Sequence, residues 1–313
     1  MGIDIEADLA ARLGPVHARQ RLSIESAHEA SVFTGGIGSF HLENWYTAPS
    51  LIRNVLRLTG LYRRAQRNAL AIRSVASRIE LEDLPTAFEG FRVLHLSDLH
   101  IDQSAAVSHR IIERVRELDY DLCVLTGDYR FATFGDIEPT LDGLGRLRAQ
   151  LSGDVYAVLG NHDSIRMVPG LEAMGIRTLL NESVALTRDD ASIHLAGIDD
   201  AHYYGVGNIQ KAAHDIPADS VSILLSHTPE VYRQAAHAAF DLLLCGHTHG
   251  GQLCLPGQIP IILDARIPRH LGRGRWQYQQ MIGYTSPGAG TSVIDGRLNC
   301  PPEVTVHELC RPQ

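Results

Sequence analysis

The sequence predicts an α/β protein that carries a helical, basic extension at its N-terminus. From residue 91 onward, short runs rich in Val, Leu and Ile alternate with amphipathic helical patterns, which is typical of sheets covered by helices. Residues 44–79 have a different character, because they hold seven Arg and no acidic residue. The 313 residues, of which 44% are apolar and 20% charged, are enough to bury a core, and they exclude a disordered chain.

Six apolar runs are predicted to form strands. They are short and mostly continuous, as expected for strands that are buried on both faces. These runs are residues 91–96, 122–126, 155–159, 193–196, 221–225 and 242–245. Between them, residues 106–118 and 140–151 show the apolar spacing of amphipathic helices. Residues 250–290 are rich in Gly, Pro and Arg and are predicted to form mainly loops.

The basic extension is predicted to contain two helices, a short one over residues 51–59 and, after Gly60, a longer one that runs to Ile79. The second helix has a stripe of small and apolar side chains on one face, with most of its Arg residues on the other. A basic amphipathic helix of this kind can lie on an anionic membrane surface, or it can pack its stripe on the core of the protein. The sequence leaves both interpretations of residues 50–80 open.

The remaining composition limits the location and the partners. The five Cys form no CxxC pair, which argues against a disulfide framework, and the acidic start of the chain argues against a signal peptide. No run of 18 apolar residues occurs, so we expect no transmembrane helix and a cytoplasmic location, with a peripheral position on the inner face of the membrane as the alternative. A net charge of −8 makes nucleic acid an unfavourable partner.

Five of the predicted strands are followed directly by residue types that bind metals. In an open α/β sheet, functional groups collect at the carboxyl ends of the strands, so we expect these side chains to lie together. They are Asp98 and His100, Asp128, Asn161 with His162 and Asp163, His227, and His247 with His249. Gly127, Gly160 and Gly246 precede three of these groups and allow tight turns that bring the backbone close to a ligand.

The chemistry of these side chains points to a pair of metal ions. Carboxylate, carboxamide and imidazole groups without thiolates suit Mn, Fe or Zn. The candidate ligands outnumber those that one ion needs, so we expect two ions to share them. Two metal ions about 3.5–4 Å apart can clamp a phosphoryl group and activate a bridging hydroxide for in-line attack. A phosphoester gains most from this arrangement, because its oxygens gather negative charge in the transition state.

The ordered series Asp-x-His, Gly-Asp, Gly-Asn-His-Asp, His and Gly-His-x-His resembles the signature of the calcineurin-like metallophosphoesterase superfamily. The resemblance implies a four-layer α-β-β-α sandwich of two mixed sheets over residues 86–313, with residues 1–85 as the extension. It also implies two divalent metal ions, with Mn expected and Fe or Zn as alternatives. The implied first ion is held by Asp98, His100 and His249, the second by Asn161, His227 and His247, and Asp128 bridges both.

The same resemblance assigns the two remaining motif residues to catalysis. His162 would sit beside the scissile phosphate, stabilise its charge and assist the leaving group, and Asp163 would orient His162 through its second ring nitrogen. Three further residues are candidates for substrate contact. His202 follows a predicted strand. Arg269 and Arg273 carry guanidinium groups, each of which can bind two phosphate oxygens at once.

A narrower resemblance covers most of residues 86–310. The stretches 88–92, 246–252 and 299–303 are similar to a bacterial branch of membrane-linked phosphodiesterases, which includes enzymes resembling UDP-2,3-diacylglucosamine pyrophosphatase. It implies hydrolysis of a phosphodiester or pyrophosphate bond by a metal-activated hydroxide, in a lipid-linked substrate such as a UDP-diacylglucosamine or a glycerophospholipid. The alternatives are a soluble nucleotide phosphodiesterase or nuclease, and a non-catalytic binding scaffold with this fold.

Overall fold

Two six-stranded sheets, packed face to face, form the centre of the computed structural model, which describes residues 5–33 and 48–312. The strands are β1 Arg73–Glu80, β2 Phe91–Leu96, β3 Leu122–Thr126, β4 Asp154–Val158, β5 Ile176–Thr178, β6 Glu182–Arg188, β7 Ala191–Gly197, β8 Ser222–Leu225, β9 Leu242–Cys245, β10 Cys254–Leu255, β11 Ile259–Pro260, β12 Gly274–Tyr278, β13 Met281–Thr285 and β14 Glu303–Cys310. The helices are α1 Ile5–Leu13, α2 Pro15–Phe33, α3 Ala48–Leu58, α4 Tyr62–Ala69, α5 Ala105–Val115, α6 Glu138–Arg148, α7 Val168–Ala173, α8 Ile209–Ala213 and α9 Tyr232–His237.

Both sheets are mixed. In the first sheet, with the order β1-β14-β2-β3-β4-β5, strands β2 to β5 run parallel, β14 is antiparallel to β2, and β1 is parallel to β14. In the second sheet, with the order β12-β13-β9-β8-β7-β6, the inner strands run parallel and each outer strand is antiparallel to its neighbour. Strands β10 and β11 form a separate hairpin.

Apolar side chains fill three layers, one between the sheets and one on each outer face. Val93 and Ile223 lie between the sheets, whereas their neighbours Leu94 and Leu224 pack against helices on the outer faces. Helices α1, α2, α5, α6 and α7 cover the first sheet, and α8 and α9 cover the second. Because successive residues of one strand are both buried, the central strands have mostly apolar sequences. The predicted four-layer α-β-β-α sandwich is confirmed.

The six strands and the two helices predicted from residue 91 onward are confirmed, with ends that differ by at most three residues. The prediction of loops over residues 250–290 is wrong for β12 and β13. Strand β13 lies between β9 and β12 and is fully buried. Its sequence is not a continuous aliphatic run, because Gly283, Tyr284 and Thr285 follow only two apolar residues, and this conceals the strand.

The predicted second helix of the extension is wrong beyond α4. Residues 73–80 form β1, which pairs with β14 along its whole length. The side chains of β1 alternate between exposed and more buried positions, which is the period of a strand. The helical stripe conceals this alternation, because Ile72, Ala76 and Ile79 also fit a period near 3.6. Pairing with a complete neighbouring strand outweighs the weak helical preference of the segment.

The N-terminal extension packs on the rest of the fold. Strand β1 is part of the first sheet, and α1 and α2 contribute to the apolar layer on the outer face of that sheet. Leu56 of α3 and Ala65 of α4 pack on Ile294 and Leu298. The division of the chain into residues 1–85 and 86–313 stays a prediction. Within residues 5–33 and 48–312, no helix is both long enough and apolar enough to cross a bilayer. All five Cys lie in these ranges and are buried free thiols.

A buried pair of imidazole rings lies between the two sheets. The Nδ1 atom of His95 is 3.3 Å from Nε2 of His307, and its Nε2 is 2.8 Å from Oγ1 of Thr126. Burial lowers the pKa of His95 to about 3 and holds the pKa of His307 well below its usual range, the latter with a contribution from His95. Both rings are therefore neutral in the folded protein, whereas in the unfolded chain each gains a proton below about pH 6.5.

We expect the free energy of unfolding to fall as the pH decreases below about 6.5, because the unfolded state then binds protons that the folded state excludes. Each such ring contributes up to about 1.4 kcal/mol per pH unit. Urea unfolding between pH 4.5 and 7.5 should show a smaller pH slope for His307→Gln than for the wild type. Equal slopes for His307→Gln and the wild type would contradict the prediction.

Candidate metal centre

Five strand ends bring the seven predicted metal ligands together. Strand β2 is followed by two of them, β3 and β4 by one each, β8 by one and β9 by two. The residues are Asp98, His100, Asp128, Asn161, His227, His247 and His249, and none is more than 7% exposed. Backbone hydrogen bonds join the first two loops, because the amides of Asp98 and His100 donate to the carbonyl oxygens of Gly127 and Asp128, each at 3.0 Å.

The side chains form two groups that share one carboxylate. Asp98, His100, Asp128 and His249 each place a possible ligand atom within 4.8 Å of the others, and Asp128 does the same with His227 and His247. Within the groups, Nε2 of His100 is 3.1 Å from Nε2 of His249, and Nε2 of His227 is 3.2 Å from Nδ1 of His247. The second group also includes Asn161, whose Oδ1 lies 3.0 Å from Nε2 of His227. Each group could hold one metal ion.

Backbone carbonyls set the orientation of two of the rings. His100 donates from Nδ1 to the carbonyl oxygen of Arg130 (2.5 Å), and His227 donates from Nδ1 to that of Thr126 (2.7 Å). A carbonyl oxygen only accepts, so the proton is on Nδ1 and Nε2 of each ring faces the carboxylates. Metal-binding histidines are usually held in this way. With carboxylate and carboxamide oxygens beside them, these donors fit divalent ions of the Mn, Fe or Zn type.

The backbone of the site is strained at the predicted ligands. Five of the seven are in the left-handed region, with φ of 51° at Asp98, 38° at His100, 56° at Asp128, 70° at His247 and 48° at His249. This conformation is uncommon for residues other than Gly and costs on the order of 1–3 kcal/mol per residue. Such strain persists only where the surrounding structure enforces it, and it is typical of functional sites.

Glycines allow the loops to approach one another, as the sequence predicts. A Cβ atom on Gly160 would overlap Oδ1 of Asp128, and one on Gly246 would overlap Oγ of Ser97. At Gly127, φ is +87°, and a Cβ would lie 2.6 Å from the amide nitrogen of Gly160. Side chains at these three positions would therefore separate the loops that carry the ligands.

The charged groups of the site strongly shift one another's pKa values. Burial alone would raise the pKa of Asp128, but the facing His227 and His162 outweigh it and hold this pKa well below its usual range. Burial would lower the pKa of His227, yet Asp128 and Asp98 raise it to about 10. For Asp98 burial prevails, supported by the charge of Asp128, and the pKa rises to about 6. Without a metal, a protonated His227 lies 3.3 Å from an ionised Asp128.

The His162 ring lies at the edge of both groups. Its backbone amide donates to Oδ1 of Asp128 at 3.0 Å, and its Nε2 is 4.0 Å from Oδ2 of the same carboxylate. On its other side, Nδ1 is 3.3 Å from Oγ1 of Thr133. The ring is thus beside the shared carboxylate without belonging to either ligand group.

The role predicted for Asp163 needs correction. Instead of orienting the His162 ring, its carboxylate accepts backbone N–H groups from two loops. Oδ2 accepts from Asp128 (2.8 Å) and Gly160 (2.9 Å). Oδ1 accepts from Tyr129 (2.9 Å) and Arg130 (3.3 Å). These donors are fixed by the turns, so Asp163 holds the loop after β3 against the loop after β4. It acts on the site through the backbone.

His202 lies next to the second ligand group. Its ring centroid is 4.2 Å from that of His247, and its Nδ1 is 2.9 Å from Oε2 of Glu230. Burial would lower the pKa of His202, but Glu230 outweighs this and raises it. The other two substrate candidates contact the β10–β11 hairpin, since Arg269 donates to the carbonyl of Pro260 (3.0 Å) and Arg273 to Oε1 of Gln258 (2.6 Å). Their contact with a substrate stays a prediction.

Three residues at the site were not predicted from the sequence. Thr133 faces His162, Glu230 faces His202, and Arg297, fully buried, donates from Nη2 to Nδ1 of His249 (3.2 Å). The position of Glu230, three residues after His227, is a signal that could have indicated it. Thr133 and Arg297 lie in loops without a comparable motif, so their roles depend on the fold.

Residues 91–251, half of the chain, match the family model of the calcineurin-like phosphoesterases, and the protein belongs to this family. It is 27% identical to the "Uncharacterized metallophosphoesterase YkoQ" of Bacillus subtilis, over 79% of this chain and 93% of that protein. It is 32% identical to the "Transmembrane protein with metallophosphoesterase domain" of Danio rerio (94% and 67%) and 29% identical to the "Phosphodiesterase YaeI" of Escherichia coli (70% and 82%). The protein is a metal-dependent phosphoric ester hydrolase.

We expect metal binding to release protons and to weaken as the pH falls. His227, with its pKa raised to about 10, is protonated near neutral pH without metal, and Nε2 must lose this proton to become a ligand. The apparent affinity for Mn²⁺ should fall about tenfold per pH unit for each proton released. Calorimetry at pH 6–8, in buffers of different ionisation enthalpy, measures both quantities. An affinity that is independent of pH, with no proton released, would contradict the prediction.

Proposed function

We propose that the protein is a phosphodiesterase or pyrophosphohydrolase that uses two divalent metal ions. The observation that carries the proposal is the pair of buried ligand groups joined by Asp128, with His162 beside the shared carboxylate. In this proposal Asp98, His100 and His249 hold one ion, Asn161, His227 and His247 hold the other, and Asp128 binds both. We expect Mn in the native site, with Fe or Zn as alternatives.

The side chains of the site have distinct tasks in this reaction. Bound divalent ions would neutralise phosphoryl oxygens and lower the pKa of water at the site. Asp128 remains ionised, so it can bind two cations at once. His162 projects next to the ions' shared ligand, where its ring can donate to a phosphoryl oxygen or to the leaving group. His202, kept basic by Glu230, can supply a further positive charge to the substrate phosphate.

A lipid-linked phosphoester is the proposed substrate, and an anionic membrane the proposed surface from which it is taken. Of residues 50–80, only α3 and α4 remain candidates for membrane contact, because β1 belongs to the first sheet. Helix α3 exposes three large apolar side chains on one side, Leu51 (63%), Val55 (50%) and Leu58 (88%). These side chains lie at i, i+4 and i+7, which places them on one stripe of the helix.

The surroundings of α3 support contact with a lipid surface. Helices α3 and α4 together carry five Arg. Each basic residue close to anionic headgroups contributes about 1 kcal/mol to membrane binding. The opposite side of α3 packs near Leu253, one residue before the β10–β11 hairpin. This hairpin and the residues after it expose further apolar side chains, Leu255, Ile259, Ile261 and Ile262. It begins three residues after Gly251, close to the proposed ligand His249.

His162→Ala should retain about two metal equivalents but lose turnover on the order of 100-fold or more, because a positioned acid–base group contributes this much. Asp128→Asn should lose both metal and activity, and more of each than His249→Asn, because it removes the shared ligand. Metal analysis and the hydrolysis of bis(p-nitrophenyl) phosphate with added Mn²⁺ measure the two effects. Loss of both ions from His162→Ala would refute its assigned role.

The same assay tests the class of reaction. Faster hydrolysis of p-nitrophenyl phosphate than of bis(p-nitrophenyl) phosphate would refute the phosphodiesterase proposal. A metal-loaded protein without turnover would indicate a non-catalytic scaffold.

Flotation with vesicles tests the membrane surface. The full-length protein should float with vesicles that contain phosphatidylglycerol, less so at high salt or with phosphatidylcholine alone. The double variant Leu51→Glu/Leu58→Glu should stay at the bottom of the gradient. The matched control is Val16→Glu, an equally exposed apolar position on α2, which should float as the wild type does. A wild type that never floats would end the membrane proposal, and faster turnover of a soluble dinucleotide than of any lipid phosphoester would replace the substrate.

A further inference from the structure

Helix α2 lies outside residues 91–251, which match the family, yet one of its faces is buried against loops that border the metal centre. Two charged residues on this face are four positions apart, and they form an ion pair. Arg21 is fully buried and Glu25 is 7% exposed, and Nη1 of Arg21 donates to Oε1 of Glu25 at 2.6 Å. Burying charges carries a desolvation cost, so the other hydrogen bonds of this pair show which groups offset that cost.

Those bonds reach the segment that directly follows His162. Arg21 donates from Nη2 to the carbonyl oxygen of Asp163 at 3.0 Å. The Oε1 atom of Glu25 accepts the backbone N–H of Ile165 at 2.7 Å, and its Oε2 accepts the hydroxyl of Ser164 at 2.9 Å. Three successive residues after His162 are thus fixed by one ion pair of α2.

The same segment is tied to the shared carboxylate from the other side. Asp163, whose carbonyl binds Arg21, holds the backbone N–H groups of Asp128 and Gly160 with its carboxylate. The backbone N–H of His162 in turn donates to Oδ1 of Asp128 at 3.0 Å. The position of the His162 ring relative to Asp128 therefore depends on a turn that is held by Asp163 inside the site and by α2 outside it.

Helix α2 also holds a second loop of the site. The carboxylate of Asp199, which follows β7, lies 2.8 Å from Nε2 of His17 and 3.4 Å from Nε of Arg21. The Arg21 guanidinium stacks on the ring of Tyr204, with its central carbon 3.3 Å from the ring centroid. Between Asp199 and Tyr204, the same loop carries His202, whose ring lies against that of His247. One buried guanidinium thus contacts both loops.

We propose that Arg21 and Glu25 are positioning residues, which hold the backbone of residues 163–165 and thereby place His162 against the phosphoryl group of the substrate. This inference rests on the proposed function. Stability alone explains the pair poorly, because apolar residues of similar volume pack a helix on a core at least as well as a buried ion pair does. A fork of N–H donors with two carboxylate oxygens fixes a turn in one geometry, which apolar contacts do not.

A double-mutant cycle tests the role of the pair. Glu25→Ala should lower kcat for bis(p-nitrophenyl) phosphate on the order of 10- to 100-fold, with KM and metal content close to those of the wild type, because a small displacement of a catalytic group has this effect. Glu25→Gln retains one carbonyl acceptor and should recover most of the loss. In a His162→Ala background, Glu25→Ala should cause no further loss, because the group that it positions is absent.

The controls are exposed charged residues of the same helix. Glu29→Ala and Arg19→Met should leave kcat unchanged, whereas Arg21→Met should reproduce the loss of Glu25→Ala. An unchanged kcat in Glu25→Ala, or an equal loss with and without His162, would overturn the inference. If Glu25→Ala does not fold, Arg21→Lys takes its place, because it keeps the charge but loses the fork of N–H donors, and the same non-additivity with His162→Ala is required of it. A wild type without metal-dependent turnover removes the proposed function and this inference together, whereas an active wild type with unaffected variants removes only the role of α2.

Discussion

Three carboxylates buried close together set the conditions under which the rest of the site is built. Burial and mutual repulsion raise the pKa of Asp98 and Asp163 to about 6, while the imidazole rings around Asp128 keep that group ionised. Asp163 is stabilised by backbone N–H groups and Asp98 by the amide of His247. Hydrogen bonds of this kind reduce the repulsion, and divalent cations remove it, which is why this donor set and a metal-dependent reaction belong together.

The sequence predicts the part of this structure in which one local pattern has one meaning. Strands β3 and β9 are buried along their whole length, so their sequences are almost entirely apolar, and the ligands appear directly after them. The same reasoning fails for β1, which lies at the edge of its sheet and follows a helical spacing by coincidence. It also fails for Asp163, because the sequence shows its neighbour His162 but not the amides that approach from the loop after β3.

The N-terminal extension shows why long-range partners escape a reading of the sequence. Arg21 and Glu25 are charged residues four positions apart, which is an ordinary pattern for a surface helix, yet both are buried. Their hydrogen-bond partners beside His162 lie far along the chain: the carbonyl of Asp163 is 142 positions after Arg21. No spacing rule connects them. The match to the family begins at residue 91, well after α2, although side chains of α2 reach the backbone beside His162. In this chain the loops of the candidate site are therefore supported both by residues inside the family match and by a helix outside it.

Strand β1 has a consequence for the architecture of the chain as a whole. It pairs parallel with β14, so β1 takes the edge position of the first sheet and β14 becomes an inner strand. A fragment that began after residue 85 would leave the eight residues of β14, seven of which are buried in the full structure, with unpaired backbone groups along one edge. Such an edge is a template for pairing with another chain. A fragment of residues 86–313 would thus expose an aggregation-prone edge at β14, which β1 covers in the full chain.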